Sequence, residues 1–167
     1  MDFAQLGVEP SFQSVLKKAG IVVPTPIQER CIGVIAQGRD VIAQAQTGSG
    51  KTLAFLLPVL AKVEADNRAV QCLIVAPTRE LAIQITKEAE KLAEVKDLGV
   101  LAVYGGRDVS SQLKKLARGV QVVIATPGRL LDHLERKSIQ LTEVQTLILD
   151  EADEMLLMGF KNEVEAI

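Results

Sequence analysis

The chain has 167 residues, 48% of them hydrophobic, with 19 Lys and Arg against 21 Asp and Glu for a net charge of −2. That length suits one domain with a sizeable core, and the mild acidity excludes a broad basic nucleic-acid surface, though not a narrow one carried by a few loops. A single histidine, one tyrosine and no tryptophan exclude a histidine-rich metal site and an aromatic platform for stacking bases.

In chain order, Phe12, Val15, Leu16 and Ala19 recur at helical spacing, and Gly20 ends that helix. Thr25-Pro26-Ile27-Gln28 opens a second helix, with Thr25 as N-cap and Pro26 in the first turn. Strand-like apolar runs follow at 41–43, 72–76, 100–104, 120–125 and 146–149. Helix-like stretches lie between them near 50–63, 79–94, 108–118 and 127–137, and another runs on from Asp153. Alternation of this kind predicts a mostly parallel sheet with helices on both faces and right-handed crossovers. No run approaches the ~20 apolar residues of a membrane span. The first residues, Met1 to Leu6, carry no basic region ahead of an apolar one, so no secretory signal is expected. Cys31 and Cys72 lack metal-ligand spacing and read as reduced core residues, which together predicts a cytoplasmic protein.

Every sharp motif falls at the carboxyl end of a predicted strand, where open α/β sheets bind their ligands. Ala45-Gln46-Thr47-Gly48-Ser49-Gly50-Lys51-Thr52 lies between a strand and a helix. Its glycines allow successive N–H groups to face an anion, and the following helix adds its positive end. Lys51 can reach the β- and γ-phosphates, and the Thr52 hydroxyl can ligate Mg2+. Asp150-Glu151-Ala152-Asp153 closes the apolar run 146–149, which reads as a buried parallel strand. Asp150 is suited to hold that magnesium through water, and Glu151 to orient or deprotonate an attacking water. Taken alone, the acids read better as a favourable helix N-terminus. Paired with the Lys51 loop they describe a nucleoside triphosphatase site whose catalytic residues are Lys51, Asp150 and Glu151.

At this point the chain resembles a family, the DEAD-box ATP-dependent RNA helicases, over nearly all of its length. Gly20 through Gln28 is similar to the adenine-reading Q motif, placing 1–29 as the Q-motif region, and Phe3 lies where the family has an aromatic packed on the base. Pro77-Thr78-Arg79-Glu80-Leu81-Ala82, Gly105-Gly106 and Thr126-Pro127-Gly128-Arg129 resemble its RNA-backbone motifs. Ile21 departs from the family, which usually has an aromatic there. The resemblance implies a RecA-like P-loop domain over 1–167 with ATP and Mg2+ as cofactors and RNA as partner. It implies Asp153 as a residue coupling this domain to a second one. From spacing alone, Gln28 reads as the return half of a capping box with Thr25; only the resemblance makes it an adenine contact. Arg79 and Arg129, each opening a helix after a strand, can share phosphates with backbone N–H groups.

The resemblance further implies a Ser-Ala-Thr strand and a second RecA-like domain beyond residue 167, the strand pairing between the Lys51-loop strand and the 146–149 strand. The expectation is an RNA-stimulated ATPase in the full-length parent, with the 167 residues alone nearly inactive. A non-enzymatic nucleotide- or RNA-binding module and a DNA-directed translocase are the alternatives.

Overall fold

The computed structural model describes residues 1–106 and 108–167. Its helices are α1 (Pro10–Lys18), α2 (Pro26–Ala36), α3 (Lys51–Lys62), α4 (Arg79–Ala93), α5 (Val109–Arg118), α6 (Pro127–Glu135), α7 (Ala152–Leu157) and α8 (Lys161–Ala166). The strands are β1 (Cys72–Val75), β2 (Val100–Val103), β3 (Val122–Ala125) and β4 (Thr146–Leu149). All described strand pairs are parallel, in the order β2-β3-β1-β4. Because β1 and β3 are buried on both faces, they need apolar residues at every position, and Cys-Leu-Ile-Val and Val-Val-Ile-Ala supply them.

Two cores lie on opposite faces of the sheet. One packs α1 to α4 against Cys72, Ile74, Val122 and Ile124, with Phe12, Leu56, Leu60 and Ile85 at its centre. The other packs α6, α7 and Val164 of α8 against Leu73, Val75, Val123 and Ala125. The predicted α/β architecture with helices on both faces is therefore the one observed. Both cysteines are free and buried, and burial pushes the Cys72 thiol up to about 12, so it stays protonated and inert.

The sequence misplaces one strand. Residues 41–43 form no strand; Val41 is 39% exposed and Ile42 fully so. A strand needs a partner for its N–H and C=O groups. Among the described residues, β4 pairs only with β1, and 41–43 joins no strand pair. Apolar β-branched residues make a segment fit to be a strand, but pairing makes it one. The predicted final helix is also split, by Gly159 at φ +83°, into α7 and α8.

Candidate nucleotide and nucleic-acid site

Parallel pairing brings four strand tips to one edge. Ladder bonds continue past the strands: Thr126 N–H donates to Val103 O at 3.0 Å, Ala76 N–H to Ala125 O at 2.9 Å, and Asp150 N–H to Val75 O at 2.9 Å. The segments after β2, β3, β1 and β4 thus lie side by side in that order.

At one end of this row, Lys51 Nζ sits 2.9 Å from Asp150 Oδ1. The two residues come from helix and strand tips almost a hundred positions apart, and the carboxylate is only 3% exposed. The second oxygen, Asp150 Oδ2, is buried without a hydrogen-bond partner, as is Ser49 Oγ. An unsatisfied buried carboxylate oxygen beside a lysine and an exposed loop suits a hydrated cation or a ligand. Glu151 follows at φ 52°, ψ 49°, a left-handed conformation that a non-glycine residue adopts at a cost. It places the Glu151 side chain in the wall of a cleft of about 570 Å3, together with Gln46, Thr47, Lys51, Thr52 and Asp150. Asp153 is exposed on the first turn of α7.

The loop itself is shaped from behind. Gln28, 2% exposed, accepts from Thr25 N–H at 2.9 Å and donates Nε2 to Gly50 O at 3.0 Å. A Cβ on Gly50 would lie 2.5 Å from Gln28 Nε2 and 2.9 Å from Thr25 Oγ, and Gly50 holds φ +84°. Only glycine fits there. The capping box read from spacing is thus present, with its return half a 2.9 Å hydrogen bond. The amide of Gln28 braces the loop and does not line the cleft. Phe3 is packed in the first core, 5% exposed among residues such as Val8 and Phe12, leaving little ring face for a base. Ala45 and Ser49 shape the loop without lining the cleft, whereas Gly48 and Gly50 do line it.

Toward the other end of the row, Thr78 caps α4 by accepting from Leu81 N–H at 3.2 Å, and Pro77 is buried beneath it. Arg79 is exposed, and its Nη1 would lie 2.8 Å from a Cβ on Gly106, so the guanidinium rests against the glycine turn. Gly106, at φ +82°, leaves that room. Thr126 caps α6 without a side-chain bond, Pro127 fills the first helical position, Gly128 is exposed and Arg129 half-buried. Arg79, Gly105 and Gly106 are therefore in one place, with Thr126 to Arg129 on the strand tip between them. The sequence reading missed the apolar side of the cleft, where Leu16, Ala19 and Ile21 face Leu81 and Leu92. No motif marks it, because these residues look like ordinary core stripe.

Comparison with known proteins follows the same lines. The family described as DEAD/DEAH box helicase matches residues 25–167. An ATP-dependent RNA helicase CshA of Listeria monocytogenes is 48% identical over 165 residues, covering 99% of this chain and 32% of that protein. A DEAD-box ATP-dependent RNA helicase CshA of Geobacillus kaustophilus is 47% identical, covering 99% of this chain and 35% of its own length. The crystal structure of a DEAD box protein from the hyperthermophile Methanococcus jannaschii superposes with a TM-score of 0.94 at 40% identity, over 99% of this chain and 45% of that one. The chain thus spans about a third of the length of the curated relatives it matches.

Proposed function

The chain belongs to the DEAD/DEAH box helicase family, and on that premise we propose that it is the nucleotide-holding RecA-like domain, 1–167, of an ATP-dependent RNA helicase. It binds ATP with Mg2+ in the Lys51–Asp150 cleft and the backbone of single-stranded RNA along the neighbouring strand tips. The observation that carries this reading is the 2.9 Å approach of Lys51 to a buried, half-satisfied Asp150 at the head of a glycine loop and helix.

On nucleotide entry, Lys51 leaves Asp150 for the β- and γ-phosphates, while N–H groups from Gly48 to Thr52 face the same oxygens. Thr52 and Asp150 are the residues that would hold Mg2+, which neutralises phosphate charge as hydrolysis proceeds. Glu151 orients the attacking water and takes its proton. To meet an adenine edge, Gln28, buried and tied to Gly50 O, would turn its amide outward as the loop rearranges, which would link base recognition to loop shape. Arg79, Arg129 and the Gly105-Gly106 turn meet successive phosphates, which predicts weak sequence selectivity and salt-sensitive affinity.

Relatives about three times as long leave room for a second domain, to which the exposed Asp153 would couple. An arginine contributed from such a domain is worth about 10³–10⁵ in nucleotide hydrolysis. The 167 residues alone are accordingly expected to bind ligands weakly and turn over negligibly. Calorimetric titration with ATP and Mg2+ tests the site: Lys51→Ala should reduce affinity by about 100-fold or more, and unchanged affinity would overturn the assignment. A DNA strand bound as well as the matching RNA strand would move the reading to a DNA-directed translocase.

A further inference from the structure

Away from the nucleotide cleft, the chain's single histidine is fully buried on α6 and has a side-chain partner at each ring nitrogen. His133 Nε2 lies 2.7 Å from Gln112 Oε1 on α5, and His133 Nδ1 lies 2.7 Å from Ser138 Oγ, just beyond α6. Gln112, 1% exposed, turns its amide nitrogen to the carbonyl oxygen of Tyr104 at 3.5 Å. Because that nitrogen donates to a carbonyl, Oε1 must face the imidazole. His133 Nε2 is then the protonated nitrogen, and Nδ1 faces the Ser138 hydroxyl, whose proton is shared between Nδ1 and the His133 carbonyl oxygen at 3.1 Å. Four groups form one continuous line: Tyr104 carbonyl, Gln112, His133, Ser138.

The ends of that line give it meaning. Tyr104 is the residue before the Gly105-Gly106 turn, against which Arg79 rests. The helix carrying His133 starts directly after Thr126 and bears Gly128 and Arg129 in its first turn. We infer that Gln112 and His133 are positioning residues for RNA, with Ser138 orienting the ring. Together they hold the glycine turn and the head of α6 at a fixed separation, so that both meet successive phosphates of one strand. The inference rests on the RNA-backbone reading of those tips. Its rival is plain packing, since buried polar groups are ordinarily hydrogen-bonded. Packing predicts a loss of stability only; positioning predicts a selective loss of RNA affinity, because phosphate contacts weaken steeply once donors shift.

The test uses the 167-residue chain, with fluorescence anisotropy of a labelled single-stranded RNA, calorimetric titration of ATP with Mg2+, and thermal denaturation. His133→Leu and Gln112→Leu should weaken RNA binding about five- to tenfold, the equivalent of one buried hydrogen bond. Affinity for ATP should stay within about twofold. His133→Gln, whose amide still donates to Gln112 Oε1, should recover most of the loss. Val63→Ala, a buried position at the far end of α3, serves as a control that lowers Tm without changing RNA affinity. If the leucine variants do not fold, Ser138→Ala carries the same expectation at smaller amplitude. RNA affinity that is unaltered, or that falls no further than in a control of equal Tm loss, overturns the inference and leaves the RNA reading standing. A parent chain that binds no RNA overturns both.

Discussion

Lys51 and Asp150 illustrate how a buried acid is held at the wall of a cleft. The carboxylate is 3% exposed and the lysine 27%, so the lysine supplies the charge that makes burial of the acid tolerable. Removing one partner strands the other. Lys51→Ala should therefore cost about 2 kcal/mol, a fall of roughly 4–8 °C in Tm at this chain length. The double change Lys51→Ala with Asp150→Asn should regain much of it, because the stranded charge is gone. Thermal melts of the four proteins close the cycle, and strictly additive losses would show that the pair is not coupled. At this scale the motif was readable from residue types, but its bracing was not. Gly50 was legible as a turn residue; that its missing Cβ makes room for Gln28 and Thr25 required two segments to be folded together. The same holds for Gly106 and Arg79.

Elements bring different rules. Periodicity located β1 to β4 and the helices between them within a few residues, since burial on one stripe or on both faces leaves a pattern along the chain. It failed at 41–43, where the residues suit a strand but pair with none of the described strands. It was also silent on how α5 and α6 are joined, because Gln112 and His133 carry no periodic signal. That junction has a pH dependence. Burial holds His133 below its ordinary value of 6.5, Arg129 and Arg136 push the same way, and Asp132 opposes them. The unfolded chain thus binds the proton more readily. The stability contributed by neutral His133 is complete above about pH 6.5 and is lost as the pH falls through the lower folded value. Urea unfolding at pH 7.5 and at acid pH should show this loss in the parent and a smaller one in His133→Gln; equal losses in both would refute it.

For the whole molecule, the parallel sheet gathers all the motifs on one edge and leaves another surface uncovered. Leu147 is 52% exposed and Leu149 39% on β4, whose outer side pairs with no described strand, and Leu156 (60%) and Leu157 (81%) are exposed on α7. Apolar side chains next to unpaired ladder groups favour association between copies. Light scattering across a concentration series should reveal self-association of the 167-residue chain. Leu147→Lys combined with Leu157→Lys should suppress it with little change in Tm, since neither side chain is buried. Association that persists unchanged in the double variant would place the contact elsewhere.

The amino-acid sequence by itself determined the α/β class, the order of the helices and of the four paired strands, and the glycine loop, acid pair and arginine-bearing turns. Each depends on residue type at short spacing, and the acid pair and arginine-bearing turns lie at strand ends, which the alternation of elements already orients. Tertiary structure alone decided that Lys51 and Asp150 touch, that Gln28 braces Gly50, that Phe3 is core, and that 41–43 stays unpaired. It also joined Tyr104 to His133 through Gln112. These are relations between segments far apart in the chain, fixed by strand order and by what remains to be hydrogen-bonded once the sheet has formed, and no local pattern of residues encodes them.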